Sequence, residues 1–183
     1  MKKSNVLIIS VMILIVGFMT SCAYKKHYIP ITNITMKLTS PAFGHNENIP
    51  KKYTCDSENI SPPLIFSDVP TSAKSLVLIV DDPDAPAGDW VHWTVWNIRP
   101  DLSEIAEAKA PQGATEGYTD FGKTGWGGPC PPSGTHRYRF NLYALDRVLD
   151  LPETARKSDL EKAMEGHVLD STVLIGLYQR KQS

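Results

Sequence analysis

Residues 75–80, Ser-Leu-Val-Leu-Ile-Val, form an unbroken run of strand length rich in apolar, β-branched side chains. A run with no polar alternation predicts a central strand buried on both faces, and the rest of the chain has to supply the cover. The run feeds directly into Asp81-Asp82-Pro83-Asp84-Ala85-Pro86-Ala87-Gly88-Asp89-Trp90-Val91-His92-Trp93. Carboxylates, two prolines, a histidine and two tryptophans within thirteen residues suit neither ordinary core nor ordinary linker. Pro83 and Pro86 fix φ and remove donors, so the segment carrying Asp82 and Asp84 is stiff. The Ala85-Pro86 bond is a candidate cis peptide.

Other strands follow from alternation. Ile34, Met36 and Leu38 alternate with Thr35, Lys37 and Thr39, and Pro41 ends the pattern. His92, Thr94, Trp96 and Ile98 alternate with Val91, Trp93, Val95 and Asn97, which places His92 on the face of Trp96. Tyr138, Phe140, Leu142 and Ala144 share one side of a further strand. His136 is in phase with Tyr138, roughly 7 Å away on that face. Residues 171–179 return to β character. Between these strands, residues 46–63 read as an irregular loop with a short strand at Tyr53, and residues 113–128 as a glycine-rich loop. Residues 101–111 suit an exposed turn of helix. Ser158-Asp159-Leu160-Glu161 matches a capping box and predicts a helix over 159–165 that stops near Gly166. With 14 Pro and 12 Gly scattered among short apolar runs, the chain reads as one mainly β domain.

The N-terminus is of another kind. Lys2 and Lys3 precede a fourteen-residue apolar run over 6–19, shorter than the roughly 20 residues a membrane span needs. Thr20, Ser21 and Cys22 follow, as in a bacterial lipoprotein signal whose cysteine is lipidated. Residues 1–21 are therefore expected to be a signal peptide, residues 22–34 a lipidated cysteine and tether, and residues 35–183 the folded domain. The expected location is the bacterial cell envelope, lipid-anchored at the periplasmic face of a membrane. The other reading is an ordinary cleaved leader with Cys22 incidental. Loss of residues 1–21 removes Lys2 and Lys3 and no acids, moving the formal net charge from −1 to −3. Nucleic acid is excluded as a partner, because it demands a concentrated basic surface. In an exported chain the two remaining cysteines, Cys55 and Cys130, point to a disulfide. Two small buried hydrophobes left reduced are the alternative.

The groups able to do chemistry are Asp82, Asp84, His92, His136 and Tyr138. Histidine, tyrosine hydroxyl and loop N–H groups can all donate to a phosphate-like anion. Gly127, Gly128 and Gly134 would let backbone approach a ligand closely. Asp82 fits beside an anion if it orients a histidine, receives an ammonium or stays protonated. Asp84 reads equally well as a turn residue bonding its own backbone. His167 is assigned a structural role.

Asp-Pro-Asp-Ala-Pro at 82–86, His-Trp at 92–93 and Gly-Pro-Cys-Pro-Pro-Ser-Gly-Thr-His-Arg-Tyr at 128–138 together resemble the phosphatidylethanolamine-binding protein family, in its bacterial Raf kinase inhibitor-like branch. The likeness spans about residues 36–180 and includes Tyr53-Thr54-Cys55-Asp56, Ser61-Pro62-Pro63-Leu64 and Ala163-Met164-Glu165-Gly166-His167-Val168-Leu169. It implies a Greek-key β-sandwich of two antiparallel sheets with one or two short helices. It also implies a small anion pocket lined by Asp82, His92, Gly128, Pro129, His136 and Tyr138, with Asp84 at the rim or anchoring the loop.

The leading expectation is thus a non-catalytic protein, without cofactor or metal, that binds a phosphate-like anion or phospholipid headgroup. A protein inhibitor docking a kinase, protease or other hydrolase is the second class. A hydrolase is the third, weakened because no Gly-x-Ser-x-Gly elbow and no His-x-x-x-His or Cys-x-x-Cys spacing occurs.

Overall fold

The computed structural model describes residues 35–180, so the signal peptide, Cys22 and the tether expected over 1–34 lie outside the described residues. The described residues form nine strands, arranged in two sheets, and one α-helix: β1 (Lys37–Thr39), β2 (Glu47–Asn48), β3 (Leu64–Ser67), β4 (Ser75–Asp82), β5 (Trp90–Ile98), β6 (Glu104–Ile105), β7 (Thr115–Glu116), β8 (Thr135–Leu145), α1 (Lys157–Met164) and β9 (Val168–Gln179). The small sheet has the order β1-β3-β6 and the large one β2-β9-β8-β4-β5-β7. The fold is mainly β, as the strand patterns require. One pairing departs from the antiparallel expectation, since β2 runs parallel to β9.

Every residue of β4 is buried, and two separate cores explain why. Leu76, Leu78 and Val80 point between the sheets, against Tyr138, Phe140 and Leu142 of β8 and Leu38, Leu64 and Phe66 of the small sheet. Val77 and Ile79 point the other way, beneath Leu160 and Met164 of α1 and beside Trp96. Each such side chain contributes roughly 1.5–3 kcal/mol by leaving water, which keeps the central strand rigid up to Asp81 and Asp82.

Several local expectations are corrected. Residues 101–111 hold the edge strand β6 in place of a helical turn, because Ile105 is drawn under the small sheet against Leu64. Tyr53 ends a short 3₁₀ turn, Lys51–Tyr53. α1 begins two residues before the expected 159: the Asp159 carboxylate accepts the Arg156 N–H at 2.9 Å, so the box closes on Arg156, not Ser158. Among the described residues every peptide bond is trans, including Ala85-Pro86.

The face assignment of His92 also changes. The β4–β5 register slips once between Val80 and Asp81 and again between Leu76 and Leu78. Each bulge inserts an extra residue and inverts the alternation beyond it. As a result Trp93, Val95 and Ile98 share the inter-sheet core while Trp96 lies on the opposite face. His92 meets Tyr138 of the inter-sheet core edge-on at 5.1 Å, so it does not share the face of Trp96.

Candidate functional site

Strand geometry alone brings the first two groups together. Asp82 continues the inward face of Leu78 and Val80, and His136 that of Tyr138 and Phe140, on the adjacent strands β4 and β8. His136 Nδ1 and Asp82 Oδ2 lie 2.7 Å apart, with both side chains more than nine-tenths buried. A carboxylate partner assigns the donor: Nδ1–H donates and Nε2 is left for other work. The other carboxylate oxygen accepts the Asp84 N–H at 2.9 Å, closing a turn typical of Asp before Pro. Both oxygens of Asp82 are thereby committed to orienting its neighbours.

His92 approaches from β5. Its Nδ1 lies 2.5 Å from the Gly127 carbonyl, to which the Nδ1–H donates. Its ring is held edge-on by Phe121 at 5.2 Å and Tyr138 at 5.1 Å. Burial depresses the basicity of this imidazole more than the Gly127 bond and the Asp82 charge restore it. Neutral His92 therefore offers Nε2 as an acceptor.

These groups border a cavity of about 270 Å³ whose polar lining is Asp82, His92 and His136. Its remaining wall is apolar or small: Ala85, Pro86 and Ala87 from the loop over 83–89, Trp90 and Phe121 packed at right angles, and Cys130, Pro131 and Pro132 opposite. Among the described residues no lysine or arginine lines it.

Asp84, expected at the rim or anchoring the loop, anchors the loop, and three residues assigned to the lining by motif, Tyr138, Gly128 and Pro129, stand behind it. Asp84 turns outward, accepting the Arg137 N–H and Nε–H at 2.9 Å each and an Arg137 terminal N–H at 2.7 Å. This guanidinium holds the Asp84 carboxyl down at about 2. Tyr138 is fully buried behind the wall, and its hydroxyl has no hydrogen bond of normal geometry. Burial first, then the Asp82 charge, raises its pKa. Gly128 and Pro129 serve as braces. The Gly128 N–H donates to Asn59 Oδ1 at 2.8 Å, and the Pro129 carbonyl accepts the Cys55 N–H at 3.1 Å. A Cβ on Gly128 would lie 2.3 Å from Asn59 Oδ1 and 2.5 Å from the Tyr53 carbonyl, so this glycine allows close approach of protein to protein. Its N–H, anticipated as a ligand donor, is already used.

Cys55 and Cys130 are disulfide-bonded, with Cα atoms 5.4 Å apart. The bond ties the cavity wall at Cys130 to the segment following the 3₁₀ turn. Phe121 and Asn59 are the contributors that sequence reasoning missed. Phe121 shares the glycine-rich stretch with Tyr118 and Trp126, and nothing in the sequence singles it out from those two aromatics. Among the described residues no group of three or more His, Cys, Asp or Glu could hold a metal ion.

Comparison with known proteins gives a consistent answer. Residues 39–179 match the family model described as phosphatidylethanolamine-binding protein. A Methanothermobacter thermautotrophicus protein named UPF0098 protein is 55% identical over 150 residues, covering 79% of this chain and 99% of that one. A Chlamydia muridarum protein of the same name is 49% identical, with the same coverage. The crystal structure of a Chlamydia trachomatis homologue of phosphatidylethanolamine-binding protein superposes with a TM-score of 0.78 at 47% identity, covering 81% of this chain and 99% of that one. Escherichia coli YbcL, described as a member of the mammalian family, gives 0.75 at 30% identity, covering 80% and 99%.

Proposed function

The chain belongs to the phosphatidylethanolamine-binding protein family, and from that premise we propose that it is a non-catalytic binding protein whose cavity takes a phosphate-like or headgroup-like ester with one negative charge and an apolar flank. The observation that carries this reading is the buried His136–Asp82 pair in a cavity wall to which the described residues contribute no lysine or arginine. A protonated His136 beside ionised Asp82 is neutral as a pair, and its Nε2–H donates to one ligand oxygen. Neutral His92 accepts from a P–OH through Nε2. A monoanion that keeps one acidic proton finds both a donor and an acceptor. A dianion would be desolvated with no compensating cation, a costly arrangement. Trp90, Phe121 and the prolines suit an alkyl or aryl flank.

Lipid anchoring through Cys22 at the periplasmic face of a bacterial membrane completes the proposal, supported by the signal-like pattern of residues 1–22. Mass spectrometry of envelope-extracted protein tests it: a diacyl or triacyl mass on Cys22 is expected, and an unmodified Cys22 overturns it. For the cavity, calorimetric titration at pH 6 with phenyl phosphate, ethyl phosphate and inorganic phosphate is decisive. Tighter binding of both esters than of inorganic phosphate is expected; preference for inorganic phosphate, or no binding, contradicts the reading.

A further inference from the structure

The face of the large sheet opposite the cavity carries a group of charges that the binding reading does not use. Asp81 is 1% exposed, yet it is a full carboxylate partner. Arg139 Nε donates to its Oδ1 at 2.7 Å and Lys157 Nζ to its Oδ2 at 2.6 Å. The same two cations both bond Asp89, Arg139 through a terminal N–H at 2.9 Å and Lys157 through its ammonium. Asp81, Lys157, Asp89 and Arg139 thus close a four-membered ring of alternating charge, with zero net charge. Burial alone would lower the Lys157 ammonium's pKa, but the two carboxylates overcome it and leave it raised.

Such a ring adds little to stability that apolar packing could not supply, since desolvation of each ion offsets most of the attraction. Its value lies in geometry. Asp81 immediately precedes Asp82, so fixing one carboxylate on the outer face fixes the peptide that aims the other into the cavity. Asp89 closes the loop whose Ala85, Pro86 and Ala87 form the cavity wall, and it immediately precedes Trp90 of the same wall. At its other end the loop is latched by Asp84 to Arg137. Lys157, from α1, joins the two segments that diverge around the cavity.

Resting on the binding reading above, we infer that Lys157 is a positioning residue of the cavity: through Asp81 and Asp89 it holds the loop over 83–89, and with it the ligand wall, from the far side of the sheet. It touches no ligand. Removing its charge should free the loop without dissolving either core, because the apolar contacts of β4 and α1 do not depend on it.

Hydrogen exchange and phenyl phosphate affinity at pH 6 test this on the full chain, comparing Lys157→Met, Lys157→Arg, Asp89→Asn and the exposed control Lys162→Met. Amides over 84–89 should exchange about fivefold faster in Lys157→Met and Asp89→Asn, with β4 and β8 unchanged. Phenyl phosphate should bind about fivefold more weakly in both. Lys157→Arg should restore both properties, and Lys162→Met should alter neither. If Lys157→Met fails to fold because Asp81 keeps only Arg139 as a cationic partner, Asp89→Asn decides. Unchanged exchange over 84–89, or acceleration spread evenly through the sheet, overturns the inference. Failure of the unmodified protein to bind phenyl phosphate would refute the binding reading, and the exchange pattern would still decide the positioning role.

Discussion

Asp82 Oδ2 and His136 Nδ1 lie 2.7 Å apart although 54 residues separate them in sequence. Adjacent strands and a two-residue period bring them there, with no help from loop conformation. Asp82→Asn removes the charge that pairs with the imidazole while keeping its shape. Affinity for phenyl phosphate should fall about tenfold, and unfolding free energy by about 1–2 kcal/mol. Calorimetry and urea denaturation measure the two; unaltered affinity would mean that Asp82 does not orient the binding group.

Acid should destabilise the protein in two steps. Unfolded His92 takes up a proton near 6.5, whereas the buried imidazole does so only at lower pH. The unfolded state then binds more protons, so stability present above pH 6.5 is lost as pH falls below it. Asp84 works the same way lower down: its carboxyl shifts from 3.8 to about 2, so its contribution is held above 3.8 and lost as pH falls toward 2. Urea midpoints against pH should show both losses, with His92→Asn flattening the upper one and Asp84→Asn removing part of the lower.

The Cys55–Cys130 bond closes a separation of 75 residues. Chain entropy alone gives it roughly 4 kcal/mol. Reductant should lower the unfolding free energy of the native protein by that order and leave the Cys55→Ser/Cys130→Ser variant unaffected. Equal stability with and without reductant would show that the bond adds nothing.

Gly128 and Gly134 belong to one motif but should respond differently. An alanine at Gly128 would drive its Cβ into Asn59 and the Tyr53 carbonyl, costing about 2–3 kcal/mol by overpacking. At Gly134 there is open space and only the positive φ of 69° to resist, a cost of about 1 kcal/mol. Thermal melts of the two alanine variants provide the comparison.

These contrasts show what was legible in the sequence. The period of two placed His136 with Tyr138, and the unbroken apolar run marked β4 as central, because those patterns record burial directly. His92 was misplaced because a bulge depends on how β4 pairs with β5, and no single strand encodes that register. The brace at Gly128 was invisible for a similar reason: its partners at 53–59 come from some seventy residues earlier in the chain. Motif resemblance set Asp84 apart as a rim or loop anchor but grouped Gly128 and Tyr138 with the ligand. It could not separate a residue that touches the cavity from one that braces its rim or sits behind its wall.

The most direct test of the cavity is an amide chemical-shift map of the protein titrated with phenyl phosphate at pH 6. Perturbations should gather at residues 82–92, 121 and 130–136 and should need about tenfold more phenyl phosphate to saturate in Asp82→Asn. Shifts centred on Lys51, Asp56, Tyr178 and Gln179, which line a separate depression, or no saturable shifts at all, would contradict binding between His92 and His136.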